Sequence, residues 1–500
     1  METVDVAILG GGVLGCAVAR ELSRYKLDVC VLERAHDVGE GSSKANSGIV
    51  HAGFQPRAGS LKGRSCVGGN AAFDMLACEL QVPFIRCGGL MVAFSAEGEE
   101  KLHAKAERGR GNGAPGMEIV DGEAARVLEP RLSPKVTKAL TAPSTGVVSP
   151  FQLVLALAQN AQANGVRFRF NAQVVTIEHA PGAACAGAGG IAVGLPEGCR
   201  YLIHLSDGSA VAARYVANMA GDSAEELDAQ VAHADLVVRP RAGDYLVFDK
   251  QNPETAITHV IYQAADNGEG GTLLAPTVEG NLLAGPTSRN VRSFRDTASL
   301  ESGLAHVRRV ARKVIPDIDF SQAIANFAGA RANIVNVAKE RKDFVVRASA
   351  PGFVSALGIK NPGLTASPYL AQLAVRQLAD EGLALEPNPD FNPLRQAYVP
   401  FLKRDAADQR RLLAADPSYG RVVCRCEGIT EGDVRAVLAG PLPPSTLDGV
   451  KRRLRVGMGR CQGGFCMPRV VPAMANAMGM VPNQVLKGEG GGRCVQRSVK

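Results

Sequence analysis

The stretch from Val4 to Ala35 constrains this chain more than any other. "VDVAILGGGVLGCAVARELSRYKLDVCVLERA" leads an apolar strand into Gly10, Gly12 and Gly15, then a helical run, a second strand "DVCVLE", and an acid at Glu33. Glycine is needed at the tight turn, at the closest approach to a pyrophosphate and where helix meets strand. The helix start then turns free N–H groups toward phosphate oxygens. Glu33, at the end of the second strand, is placed to accept hydrogen bonds from a ribose diol. Because strand, turn, helix, strand and acid fall in order, the stretch reads as a dinucleotide site at the head of an α/β sheet.

Five hundred residues, 46% apolar and 21% charged, predict a large core divided among two or three domains. Residues 1 to about 385 alternate strand-like and helix-like runs, as in an α/β protein carrying an inserted sheet. The Gly/Ala-rich excursion at 179–198 reads as a loop without chemistry, and the proline-rich 386–419 as a linker. A region organised by cysteine follows at 420–476, and 487–500 reads as a flexible tail. No stretch of 18 uninterrupted apolar residues is present, so no transmembrane segment is expected. The first strand begins within three residues of Met1, which predicts no signal peptide and a cytoplasmic setting, peripheral attachment to a membrane being left open. A net charge of +7 favours anionic ligands, but the basic residues are scattered and give no nucleic-acid patch.

Of the twelve cysteines, most, including Cys16, Cys30, Cys78 and Cys87, lie in apolar stretches and read as small buried hydrophobes. Four are organised by spacing: Cys424-x-Cys426 in "VVCRCEG" and Cys461-x4-Cys466 in "GRCQGGFC". Four thiolates satisfy either a 2Fe-2S cluster or tetrahedral zinc, and spacing alone leaves both open. Gly457, Gly459, Gly463 and Gly464 leave backbone N–H groups near the sulfurs, and Arg460 adds positive charge.

Several separated segments resemble the glycine-oxidase-like FAD-dependent oxidoreductases: "GEGSSKANSGIVHAGF" at 39–54, "YVANMAGDSAEEL" at 215–227, "VVRPRAGDYLVFDK" at 237–250, "LLAGPTSRN" at 282–290 and "SALGIKNPGLTASPYLAQLA" at 355–374. Within that superfamily the chain is most similar to FAD-dependent glycerol-3-phosphate dehydrogenases of the anaerobic large-subunit type, with L-2-hydroxyglutarate dehydrogenases nearby. "YGRVVCRCEGITEGDVRAVL" and "LDGVKRRLRVGMGRCQGGFC" resemble a bacterioferritin-associated-ferredoxin-like 2Fe-2S domain.

The resemblance implies a doubly wound, Rossmann-type FAD-binding domain with an inserted mixed β-sheet substrate domain, about 75–145 and 230–325, followed by a small mostly helical iron–sulfur domain. It implies that Gly10, Gly12, Gly15, Glu33, Arg34, Ser42, Ser43, Asn46, Ser47, Val174, Ala220, Gly221, Gly363, Leu364 and Thr365 hold FAD, and that Cys424, Cys426, Cys461 and Cys466 hold the cluster. His51 becomes the candidate base for a substrate hydroxyl, Arg331 the clamp on an anionic substrate, and Lys360 a group beside the flavin. One departure is visible: the family often carries Arg-Tyr shortly after the histidine, where this chain has Phe54-Gln55, with Arg57, Lys62 and Arg64 as substitutes.

The implied activity is oxidation of glycerol 3-phosphate. Two electrons pass to FAD and leave singly through the cluster to an acceptor protein or a quinone. Two alternatives remain: an L-2-hydroxy-acid or imino-acid dehydrogenase, and a flavin/iron–sulfur relay or sensor that turns over no metabolite.

Overall fold

The computed structural model describes residues 1–180, 188, 190–265, 271–336 and 343–495. Part of the Gly/Ala-rich excursion and the last five residues of the tail lie outside the described residues.

The opening motif folds as strand β1 (Glu2–Leu9), helix α1 (Val13–Leu22) and strand β2 (Val29–Leu32). The two strands pair in parallel, Val6 beside Val29 and Ile8 beside Val31. From Val6 to Leu9 and from Val29 to Leu32 the side chains are covered on both faces, which is why these runs are apolar throughout rather than alternating. Two glycines are fixed by sterics. Gly10 has φ +97°, and a Cβ there would lie 2.8 Å from the Ala220 Cα. A Cβ on Gly15 would fall 1.9 Å from the Gly10 carbonyl oxygen, so any side chain would lever α1 off the sheet.

Around this unit grows an eight-stranded sheet in the order Val174–His179, Tyr201–Leu205, Ala210–Asn218, β1, β2, Arg167–Arg169. Strands Phe353–Leu357 and Val345–Ala350 are added beside Ala210–Asn218. Helices α1, Leu61–Leu80, Pro150–Ala163 and Gly363–Asp380 share one apolar core with its strands, centred on Ile8, Val31, Phe73, Leu157 and Leu370. Truncating one of these buried aliphatic side chains to alanine costs about 2–5 kcal/mol.

A second, nine-stranded mixed sheet is drawn from distant parts of the chain. Gly89–Ala93 runs parallel to Val260–Gln263, and Leu236–Lys250 runs antiparallel to Ala323–Asn336 over its length. Helix Glu301–Val314 covers it with Leu304, Val307, Ala311 and Val314, spaced at helical intervals along one face.

The cysteine-bearing region is mostly helical. A two-stranded hairpin, Val422–Cys424 with Ile429–Thr430, leads into helices Glu431–Ala439, Leu447–Leu454 and Met467–Met478 around their own core of Ile429, Val434, Val450 and Met474. The first helix starts on a reciprocal cap: the Asp433 N–H donates to Thr430 Oγ1, and the Thr430 N–H to the Asp433 carboxylate.

Three expectations need correcting. Residues 386–419 are not a bare linker: Arg395 is buried and donates to the Leu80 carbonyl, Tyr398 and the Phe401 N–H bind the Asp433 carboxylate, and Ala406–Ala415 is helical. Polar, proline-rich composition concealed a strap held by side-chain hydrogen bonds. The described part of the tail is also structured, with the Lys487 N–H donating to Gly492 and Glu489 reaching the nucleotide cavity. Cys78 is exposed, because it lies on the solvent side of the helix turn that buries Leu76 and Leu80.

The cysteine-bearing region docks on the first domain through a buried ionic seam. Arg453 grips the Asp37 carboxylate at 2.5 and 3.0 Å, and Arg452 reaches both Asp37 and Glu40. The Gln152 amide donates to the carbonyls of Arg452 and Arg453 at 3.0 Å each. Burial alone would raise the Asp37 carboxyl, but the two guanidiniums and the Val38 N–H outweigh it and hold it below the usual carboxylate value.

Candidate active site and four-cysteine centre

Two confluent cavities follow the carboxyl ends of the parallel strands, where open α/β sheets bind ligands. The first, about 200 Å³, is lined by Gly10, Gly12, Glu33, Arg34, Ser42, Ser43, Val174, Ala220 and Gly221 among the expected residues. The second, about 300 Å³, is lined by Ser42, Ser43, Asn46, Ser47, His51, Arg331, Lys360, Gly363 and Leu364. Two expected residues act from behind the walls: Gly15 packs α1 on the strand, and Thr365 is buried.

The nucleotide end is built for a dinucleotide. Glu33 accepts the Gly11 N–H at 2.6 Å and the Ala35 N–H at 2.8 Å; burial pushes its pKa up against these two bonds. Ser43 Oγ accepts the Val13 N–H at 3.0 Å, putting a hydroxyl at the mouth of α1. Arg34 is fixed by Asp222 and Ser223, both at 2.9 Å. A side chain on Gly41 or Gly221 would meet no atom within 4 Å, so both border open space. The cleft fits FAD. Gly10, Gly12 and Ser43 would hold its pyrophosphate, Glu33 its ribose, and the second cavity its ring.

In the second cavity His51 is 5% exposed. Its N–H donates to Thr365 Oγ1 at 3.0 Å and its carbonyl accepts from the Asn70 amide, which fixes the backbone. The Asn361 amide donates to Nε2 at 2.7 Å, leaving the ring proton on Nδ1, 3.2 Å from the Tyr262 hydroxyl. Burial pulls the imidazole down to about 4, so it is neutral at ordinary pH. Arg331 donates to the Thr287 carbonyl at 2.6 Å and pairs with no carboxylate among the described residues. Burial lowers its pKa, yet a guanidinium keeps its charge, so the cavity holds a fixed cation facing open space. Lys360 bonds to Asn333.

Gly363 lines this cavity, but its N–H is taken by the Lys360 carbonyl at 2.5 Å. Leu364 and Thr365 keep first-turn N–H groups that no residue of their own helix can accept. A third cavity of about 540 Å³ adjoins the site through Gln55, Lys360, Asn361 and Pro362. Arg57, Lys62 and Arg108 line it, so two of the three substitute cations named from sequence stand at this mouth and Arg64 does not. Sequence reasoning missed Tyr262, Asn361, Asp222, Ser223 and Arg108. Asn361, Asp222 and Ser223 stood beside motif residues and were within reach; Tyr262 and Arg108 come from segments without a motif.

The four cysteines meet as two pairs. Cys426 and Cys461 Sγ lie 3.9 Å apart at the surface, and Cys424 sits beside Cys466 in the core. Backbone N–H groups of Phe465, Gly463 and Cys466 lower the Cys461 thiol, whereas burial and its Cys424 neighbour push Cys466 up to about 12. Among the described residues no three His, Cys, Asp or Glu side chains converge on one metal ion. Two thiol pairs fit a two-iron cluster, which Cys424, Cys426, Cys461 and Cys466 would hold, better than a tetrahedral zinc.

Fold and cavities thus define a flavin-dependent oxidoreductase with an iron–sulfur domain attached. Residues 5–377 match the family model of FAD dependent oxidoreductases and 422–475 that of the BFD-like [2Fe-2S] binding domain; the chain belongs to this FAD dependent oxidoreductase family. It is 36% identical over 485 residues to the glycerol 3-phosphate dehydrogenase of Caloramator mitchellensis, a match spanning 97% of this chain and 96% of that one. An L-2-hydroxyglutarate dehydrogenase of Arabidopsis thaliana is 25% identical over 422 residues, 74% of this chain and 82% of its own. Among solved structures, the L-alpha-glycerophosphate oxidase of Mycoplasma pneumoniae with FAD bound superposes with a TM-score of 0.71 at 27% identity, covering 80% of this chain and all of its own. Among the described residues no helix is long and apolar enough to cross a membrane.

Proposed function

We propose that the chain oxidises sn-glycerol 3-phosphate to dihydroxyacetone phosphate as a dehydrogenase. The observation that carries this is a neutral imidazole and an acid-free guanidinium in one cavity, continuous with the nucleotide cleft. Arg331 and Lys360 hold the phosphate, with the Arg57, Lys62 and Arg108 mouth drawing the dianion inward. His51 Nε2, released from Asn361, accepts the hydroxyl proton while Tyr262 holds the ring and Thr365 its backbone. The arriving anion raises the affinity of the ring for that proton, so basicity develops when substrate is present. FAD, when bound, supplies the hydride acceptor, and the cluster a one-electron outlet.

We read 1–385 as the flavoenzyme body with its inserted substrate sheet, 386–419 as the connecting strap and 420–476 as the electron outlet. The match of the Caloramator dehydrogenase over 97% of the chain, against 80% for the oxidase structure, supports a dehydrogenase that uses this outlet. The test is an anaerobic visible spectrum of holoprotein. Glycerol 3-phosphate should bleach the flavin bands and then the iron–sulfur absorbance. Bleaching by L-2-hydroxyglutarate instead would replace the substrate, and bleaching by neither would leave a relay.

A further inference from the structure

We propose that the face carrying Cys426 and Cys461 docks an acidic one-electron carrier protein, which is the electron acceptor of the enzyme; this rests on the redox reading above. The cysteine pairs are unequal. Cys424 and Cys466 are 1% and 0% exposed, whereas Cys426 and Cys461 are open to solvent, so one edge of the site faces outward.

That edge is framed by a small cationic and aromatic platform. The guanidinium of Arg425 lies 4.3 Å and that of Arg469 3.9 Å from the centre of the Phe465 ring. Arg469 also donates to the Phe465 carbonyl at 2.8 Å. Stacking holds both charges at the surface beside the exposed thiols.

The arginines of the same domain that face the rest of the chain are used differently. Arg452 and Arg453 grip Asp37 and Glu40, Arg455 pairs with Glu279 and Glu427, and Arg460 with Asp249 at 2.5 Å. Arg425 and Arg469 form no ion pair with any described residue. Arginines with acids on hand close an internal seam, and arginines held ready on an aromatic ring suit acids brought by a partner. Arginine and aromatic residues are also the side chains that anchor protein interfaces. The chain's net charge of +7 adds long-range attraction for an acidic protein. A quinone ring would need an enclosed apolar slot, whereas this edge exposes Arg425, Gln462, Gly464, Pro468 and Arg469. Each encounter moves one electron and breaks no bond. One substrate oxidation therefore reduces two carrier molecules.

The test uses holoenzyme, substrate and two high-potential carriers of opposite charge, acidic plastocyanin and basic cytochrome c. At low salt plastocyanin should be reduced at least about tenfold faster, with a rate that falls as ionic strength rises. Arg425→Glu with Arg469→Glu should reverse the preference and leave substrate bleaching of the flavin unchanged; Arg469→Gln alone should reduce it in part. Independently of turnover, amide shifts of reduced plastocyanin should move at its acidic patch on adding wild-type protein and stay still with the double variant. Equal or faster reduction of cytochrome c, no salt dependence, or faster reduction of a short-chain quinone by wild type and variants alike would overturn the proposal. If substrate fails to bleach the flavin, the enzymatic reading falls, while the shift titration still reports on the surface.

Discussion

The flavin-side cavity and the four-cysteine centre solve opposite problems in one chain. His51, Tyr262, Arg331 and Asn361 come together from four segments spread over some 300 residues and meet only because two sheets and a helix bring them there. The cysteines come from two short loops, and their domain has its own core. One site is buried, with a neutral imidazole beside a fixed guanidinium, and the other is half exposed and framed by arginines. A site made by global folding tunes chemistry through desolvation, and a site made by local sequence tunes it through nearby N–H groups and arginines.

The contrast can be broken most sharply at the cysteines. Replacing Cys426 and Cys461 by serine together should abolish iron–sulfur absorbance and the reduced-state EPR signal while substrate still bleaches the flavin; loss of both would show that the sites are not separable. His51→Ala should do the reverse, slowing flavin reduction by about 10²–10⁴-fold in stopped flow with the cluster spectrum intact. At the seam that joins the two, Asp37→Asn leaves Arg453 without its buried anion and Arg452 with Glu40 alone. That should cost about 3–5 kcal/mol, seen as earlier release of the C-terminal domain in limited proteolysis and a lower Tm.

The wild-type seam has a pH sign. The folded-state pKa of Asp37 is depressed, so its contribution is fully present above the unfolded carboxylate value and is lost as pH falls through the lower folded value. Docking should therefore weaken only in acid. Arg331→Ala should raise KM by about 10–100-fold, the loss of charged hydrogen bonds worth about 1.5–3 kcal/mol, without changing FAD content. The smallest effect is on the pH profile. With His51 held to about 4, the acid limb of kcat/KM should lie near that value rather than near the ~6.5 of a free imidazole.

What the sequence made legible follows the same division. The glycine turn and Glu33 are close in the chain, and each cysteine loop is short, so spacing alone marked them, although which thiols meet, Cys426 with Cys461 and Cys424 with Cys466, was not in the spacing. Tyr262 and Asn361 orient His51 across more than 200 residues, and no period or spacing announces such a contact. Composition misjudged 386–419, because buried Arg395 and the Tyr398–Asp433 bond depend on partners that a polar, proline-rich stretch does not advertise. At the first turn of helix Gly363–Asp380 the helix start faces the cavity, while the bond from the first donor to the Lys360 carbonyl depends on a local turn that no motif announces.

Glu489 lines the cavity opened by the glycine turn at residue 10, near enough to Arg34 to raise its pKa along with Asp222. Part of the nucleotide cleft's wall is therefore supplied by the segment that follows helix Met467–Met478. Retention of FAD becomes a reading of whether the electron outlet has docked, so a chain that fails to complete its last domain should lose its flavin faster than a finished one.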